Sequence, residues 1–472
     1  MHRSLVIRTC VNRRGGCAAG VRAVLLVGAL TAAAPGQSIY DPSWADAAPE
    51  RVLAHRRDPA LDDRANGALL ADAIRSLAPG DRLEIGPGTW SIERRFNISL
   101  RGTPARPIWI VAADGAAPRI TRSDAAQNVI NVGDPAEGRS EYLCLRGLEI
   151  VGGSMGLRLH ACSQVWIDGC HVHHTGDAAI TANTADTESL HITRNHVHHT
   201  SGTGEGMYLG ANDGAHVMRH SVIALNHVHH TLGAEQGDGI EVKQGSYGNW
   251  IARNLIHHTR YPCLLVYGTG GEAPNLIEHN VLYSSLDNVL QVQGEAIVRH
   301  NLIMDGAVGF QSFDHQGRSR NLVFIHNTVI NRGRAADFRS WDERPGMVCA
   351  NNAFYSETME SMRFAGSRGV ALAGNVVHGP VLGASTGFVR GTGLSDFEDV
   401  AWDASARDAR PAPDGALVGA AAAEFYSRGD REVSASPPTA GSNSNGPAGV
   451  PRTSDPARTP ILPDTIRERS AH

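Results

Sequence analysis

Lysine is almost missing from this chain: of 43 basic residues, one, Lys243, is a lysine. Arginine replaces lysine wherever a surface cation is enough, but its guanidinium stays charged at any working pH and cannot serve as a base. A lone lysine in such a chain is therefore a candidate for a site that needs a compact amine. An excess of charge of one sign is also absent. The formal net charge is −5, and the arginines are scattered among acids, which excludes an electrostatic nucleic-acid binder. Cysteines are few, at seven, and none forms a CxxC pair. Cys144, Cys162, Cys170, Cys263 and Cys349 are an odd set at irregular spacing, which excludes a disulfide framework and reads as buried apolar filler. Long apolar runs are absent too. The best, over residues 23–30, is too short to span a bilayer.

That short run lies behind Arg13, Arg14 and Arg22 and ahead of small residues at 32–34. The pattern predicts a secretory signal over residues 1–36, hence export to an extracellular or periplasmic compartment and no membrane attachment after cleavage. Residues 427–472 are rich in Ser, Pro, Gly, Asn and Arg with almost no apolar periodicity, the composition of a disordered tail.

The middle of the chain repeats itself. His171-Val172-His173-His174-Thr175 returns as His196-Val197-His198-His199-Thr200 and as His227-Val228-His229-His230-Thr231. It returns once more as Leu255-Ile256-His257-His258-Thr259. Aligning these places Asn195, Asn226, Asn254, Asn280, Asn301, Asn327, Asn352 and Asn375 in one column, with Cys170 and Leu148 before them. Apolar residues stand three before and two after each anchor, so each repeat holds short alternating strands with no room for a crossover helix. Strand-only repeats of this period predict an all-β solenoid of about ten coils, each burying its inward residues against its neighbours. Stacked amides would satisfy backbone groups at a tight turn.

On this column the chain resembles the right-handed parallel β-helix (pectate-lyase-like) superfamily, which carries an asparagine ladder between its second and third sheets. The resemblance covers roughly residues 140–380. The stretches 81–90 and 102–110 are similar to the opening of secreted members, and 410–414 to their closing segment. The expected organisation is an N-terminal cap and first coils over 37–140, then the β-helix and closing segment over 141–426.

The third strand of each repeat sets out a possible site. If Ile180, Met207, Ile240, Leu264, Leu290, Phe310 and Phe338 point inward, alternation turns their neighbours outward. One outward column reads Thr181, Tyr208, Glu241, Leu265, Gln291, Gln311, Arg339. The next reads Asn183, Gly210, Lys243, Tyr267, Gln293, Phe313, Trp341. Glu205 and Asp238 precede two of the strands. Glu205, Asp238 and Glu241 could hold Ca²⁺, which takes several oxygen ligands. Tyr208, Tyr267, Trp341, Gln291, Gln293 and Arg339 offer rings and polar groups to an acidic glycan, with His258 at a nearby corner. A solvated ion-pair ladder is the bland alternative.

The arrangement also resembles polysaccharide lyases of the alginate lyase and chondroitinase B type. That resemblance implies β-elimination on a uronate, with Lys243 as base, Arg260 as acid and Glu241 as the strand glutamate. The sequence departs from that pattern in having Glu241-Val242-Lys243 with no second glutamate. Two other readings stand beside it. Paired carboxylates could hydrolyse a glycoside on the same fold, or the chain could bind surface glycans without turnover. The stacked histidines read as corner residues packing on their own kind, with a transition-metal site as the alternative.

Overall fold

The structure is a computed structural model and describes residues 38–425 apart from 135, 137 and 234. The expected signal segment and C-terminal tail lie outside the described residues. Three parallel sheets wind around one core. The first, the ladder sheet, runs from Arg51–His55 to Ala371–Ala373. The histidine sheet runs from Gly88–Ser91 to Phe388–Arg390 with 13 strands, and the cleft sheet from Asn97–Ile98 to Val381–Leu382 with 12. That is about twelve coils where the repeat pattern predicts about ten. The extra coils lie upstream, where the asparagine column does not reach.

Inward residues stack on their equivalents from coil to coil. Ile167, Ile192, Ile223, Ile251 and Ile277 are in register in the ladder sheet and fully buried. Parallel strands lie about 4.8 Å apart, so each such isoleucine is covered above and below by a residue of its own shape.

The turn from the ladder sheet into the histidine sheet carries the predicted amides, unbroken from Asn195 to Asn375. Asn226 donates from N and Nδ2 to Asn254 Oδ1 at 3.1 and 3.0 Å. Asn254 Nδ2 reaches back to the Ile223 carbonyl at 2.9 Å and on to Asn280 Oδ1 at 3.0 Å. Each amide so pairs backbone groups that would otherwise be buried and orphaned. A shorter second ladder, which the repeat pattern does not reveal, opens the ladder sheet. There Leu190 N donates to Ser221 Oγ, Ser221 N to Asn249 Oδ1, and Asn249 Nδ2 to Asn275 Oδ1, at 3.0–3.1 Å.

The ends are closed by different devices. At the start stands the helix Asp63–Arg75, capped by Asp62 accepting from Ala65 N and burying Leu70 and Ile74. At the finish Phe397–Val400 and Arg407–Pro411 form an antiparallel pair. That closing segment folds back on the outer face of the histidine sheet, burying Val281, Leu302, Met304 and Tyr355 with Phe397 and Leu417. Along the outer face of the ladder sheet, Tyr40 packs on Trp250 and Trp44 on Trp109 and Trp166. Among the described residues, the five cysteines are free and buried, and burial pushes the Cys170 and Cys263 thiols up to about 12.

Candidate functional site

In the cleft sheet, Met207–Leu209, Ile240–Val242 and Leu264–Val266 pair in parallel, with Tyr208, Glu241 and Leu265 in one row. Ile240 and Val242 face the core, so alternation turns Glu241 and Lys243 to the other side. Gly237 sets up the strand at φ 83°, where a Cβ would also meet the Thr231 carbonyl oxygen at 2.2 Å. Only glycine fits that turn, which delivers Asp238 beside Glu205 and Glu241.

The three carboxylates each offer an oxygen, all within 4.8 Å of one another. Lys243 Nζ donates to Glu241 Oε1 at 2.5 Å and lies over the Tyr208 ring at 4.6 Å and the Tyr267 ring at 5.2 Å. None of this is on an exposed face. Glu205, Asp238, Glu241 and Lys243 are only 1–4% exposed, at the floor of a cavity of about 510 Å³.

Its walls come from neighbouring coils. Asp177 and Asn183 stand on one side, Tyr261 on the other, and His315 and Gln316 belong to a loop that reaches back to Asn212. His315 tilts against Tyr267 at 4.9 Å, and its Nδ1 accepts from Gln291 Nε2 at 3.0 Å. Burial, and then the charge of Lys243, hold its imidazole below the usual histidine range. Sequence reasoning misses His315 because it sits in a loop outside the repeat alignment. Only the fold brings it over Lys243.

The charges do not balance. Burial raises the carboxyl of Glu205, and it raises Asp238 well above the usual range, with Glu241 and Glu205 adding to it. Glu241 is raised by burial against the opposing pull of Lys243. Glu205 Oε1, Asp238 Oδ1 and Glu241 Oε2 are buried without a hydrogen-bond partner. Three carboxylates against one ammonium leave a deficit of two positive charges. Burying them so is costly unless protons or a cation fill it. Clustered hard oxygens with open lone pairs fit Ca²⁺.

The other expected residues separate. Gln291 touches the cleft through His315, and Gln293 backs it by accepting from Gly268 N. Arg260 is exposed and does not line the cavity, so it is not placed to act as the acid. Trp341 is fully buried, its indole N–H donating to Ser312 Oγ at 2.8 Å, and serves the core instead of the face. The strand row is predicted correctly to Gln311 and then slips by two, because Gln311 pairs with Asp337, not Arg339. Arg339 is held by Asp337 at 3.0 Å and lies over the Phe313 ring, outside the cleft lining. His258 belongs to the histidine stack on another sheet, 4.9 Å from His230.

Comparison with known proteins agrees on architecture. Residues 110–256 match the family model described as "Right handed beta helix region". Among curated proteins none matches the chain by sequence. Similar solved structures include an alginate lyase from Paenibacillus sp. str. FPU-7, at 16% identity and TM-score 0.39, covering 72% of this chain and 98% of that one. The pectate lyase Pel9A has 13% identity and TM-score 0.44, with 84% and 96% covered. The Dettilon tailspike protein has 12% identity and TM-score 0.44, with 63% and 66% covered. Likeness at this level says nothing about the chemistry of the cleft. From its stacked sheets, its ladder and the matched region together, this chain is a right-handed parallel β-helix protein.

Proposed function

We propose that the cleft is the active site of an exported polysaccharide lyase that cleaves a uronate-containing glycan by β-elimination. The observation that carries this reading is the placement of the lone lysine. Lys243 stands between two tyrosine rings at the floor of a cavity, beside a carboxylate cluster short of two positive charges.

Glu205, Asp238 and Glu241 would hold a Ca²⁺ ion, which when bound supplies the positive charge that neutralises a uronate carboxylate and acidifies its C5–H. With Lys243 in its neutral amine form, Nζ takes the C5 proton, the C5–H electron pair forms the C4=C5 double bond, and the C4–O bond breaks. The leaving oxygen takes a proton from Tyr208 or Tyr267. Both phenols are held above their usual range, by burial and then by Glu241, and so remain protonated donors at neutral pH. His315, neutral and oriented by Gln291, is a hydrogen-bonding wall for sugar hydroxyls.

The test is purified protein with a panel of uronic-acid polysaccharides, with Ca²⁺ or chelator, followed at 235 nm for the unsaturated product. Lys243→Ala and Lys243→Arg should each lose about 10²–10⁴-fold in rate, the usual worth of a general base. Arg260→Ala should stay near wild type. Undiminished absorbance growth with Lys243→Ala would sink the proposal. The raised carboxyls favour a second reading, glycoside hydrolysis with a protonated acid beside a carboxylate. It is separated by new reducing ends without 235 nm absorbance.

A further inference from the structure

The outer face of the histidine sheet carries a second cluster, away from the cleft. His171, His196 and His227 stack in one column with ring centroids 4.7 and 5.0 Å apart. His173, His198, His229 and His257 stack in a second column at 5.0–5.1 Å. A third column, headed by His174, occupies a left-handed position with φ of 52–55°.

Across the columns the rings meet nitrogen to nitrogen. His171 Nε2 faces His198 Nε2 at 2.7 Å, His196 faces His229 at 2.8 Å, and His227 faces His257 at 2.9 Å. Each middle ring also turns Nδ1 to the next histidine along the chain, as His229 does to His230 at 2.5 Å.

The fold does not require histidine here. One coil on, the same three positions are Leu255, His257 and His258, and a further coil on they are Val281, Tyr283 and Ser284. Tyr283 stacks on His257 at 4.7 Å as well as any imidazole does. From that coil onward the closing segment covers this face. The histidine coils are the part left open, with His171, His196 and His227 half-exposed.

We propose that this array is a transition-metal site that takes Zn²⁺ or a similar imidazole-preferring divalent ion. Such an ion binds nitrogen at 2.0–2.1 Å, which puts tetrahedral ligands about 3.3 Å apart, so the facing Nε2 atoms need to part by only a few tenths of an ångström. With its proton on Nδ1, His229 donates to His230 and presents Nε2 to the ion, the usual orienting contact for a ligating histidine.

Three-ligand sets recur along the array, but they share members. Glu149, His171 and His173 make one, and His196, His227 and His229 another, with no residue in common. The set of His171, His196 and His198 overlaps both. The array therefore holds two ions, not one per coil.

The experiment uses untagged full-length protein at pH 7.5 in millimolar Ca²⁺, so that the hard cation occupies the cleft carboxylates. Zinc retained after dialysis is counted by elemental analysis, and Co²⁺ absorption reports nitrogen-ligated tetrahedral geometry. Wild type should retain two Zn²⁺. His227→Leu with His229→Tyr, which copies residues from the next coils, should retain one, and adding His171→Leu with His173→Tyr, which breaks every remaining three-ligand set, should leave none. Circular dichroism and thermal midpoint confirm that each variant is folded. Fewer than one bound Zn²⁺ in wild type, or a count unchanged in folded variants, would overturn the proposal.

Discussion

Asp238 is the carboxyl most at odds with its surroundings. It is 1% exposed, with Oδ1 unpartnered and two other carboxylates beside it. A carboxyl raised in the folded state above its unfolded value is worth less to stability once the pH exceeds the unfolded value, because the unfolded chain ionises freely and the folded one does not. Asp238→Asn keeps the shape and removes the penalty. In chelator it should raise the thermal midpoint at pH 7.5. The same variant should lose most of the Ca²⁺-induced rise expected of wild type, since a cation stabilises only the form that binds it. A lower midpoint in chelator together with an intact Ca²⁺ response would contradict the charge argument. At this scale the sequence singles out Lys243, Glu241, Glu205 and Asp238 by residue type and alternation. It errs on Trp341, Arg339 and Arg260. Alternation tells which side of a strand a residue faces, not whether the chain beyond the strand turns the side chain into the core, as it does for Trp341.

The element that responds most to pH is the histidine sheet. His171, His196 and His227 are lowered to about 4, His257 to about 3 and His198 to about 2, in each case chiefly by burial. A histidine lowered on folding leaves the unfolded chain holding more protons below about pH 6.5. Stability from these rings is full above that pH and is lost as the pH falls toward 4. In chelator, the thermal midpoint should fall steadily from pH 7 to pH 4.5. His227→Leu with His229→Tyr should flatten that fall, and an unchanged slope would count against it. The stacking itself is plain from the fourfold His-His-Thr repeat. The nitrogen-to-nitrogen pairing between columns is not, because it depends on the lateral offset of neighbouring coils.

As a whole molecule the chain is close to one-dimensional: each coil touches its neighbours, and the ends must be closed. Gly67 lets the N-terminal helix lie against the first coils, since a Cβ there would meet the Ser91 carbonyl oxygen at 2.1 Å. Gly67→Ala should cost about 1–3 kcal/mol by overpacking. Hydrogen exchange should quicken in residues 51–122 while the strands around Lys243 stay protected. Equal loss of protection throughout would show that the solenoid unfolds as a unit instead.

The sequence by itself determined the solenoid and its ladder, because a repeated inward residue and a repeated turn amide are local patterns whose partners are copies of themselves. It also determined that one lysine and three acids share a sheet face. Tertiary structure alone decided that this face is the buried floor of a cavity. The walls come from residues far apart in the chain, with His315 brought over Lys243 by a loop that no periodicity describes. The depth of that floor leaves the carboxylates short of counter-charge, and sequence spacing carries no record of solvent.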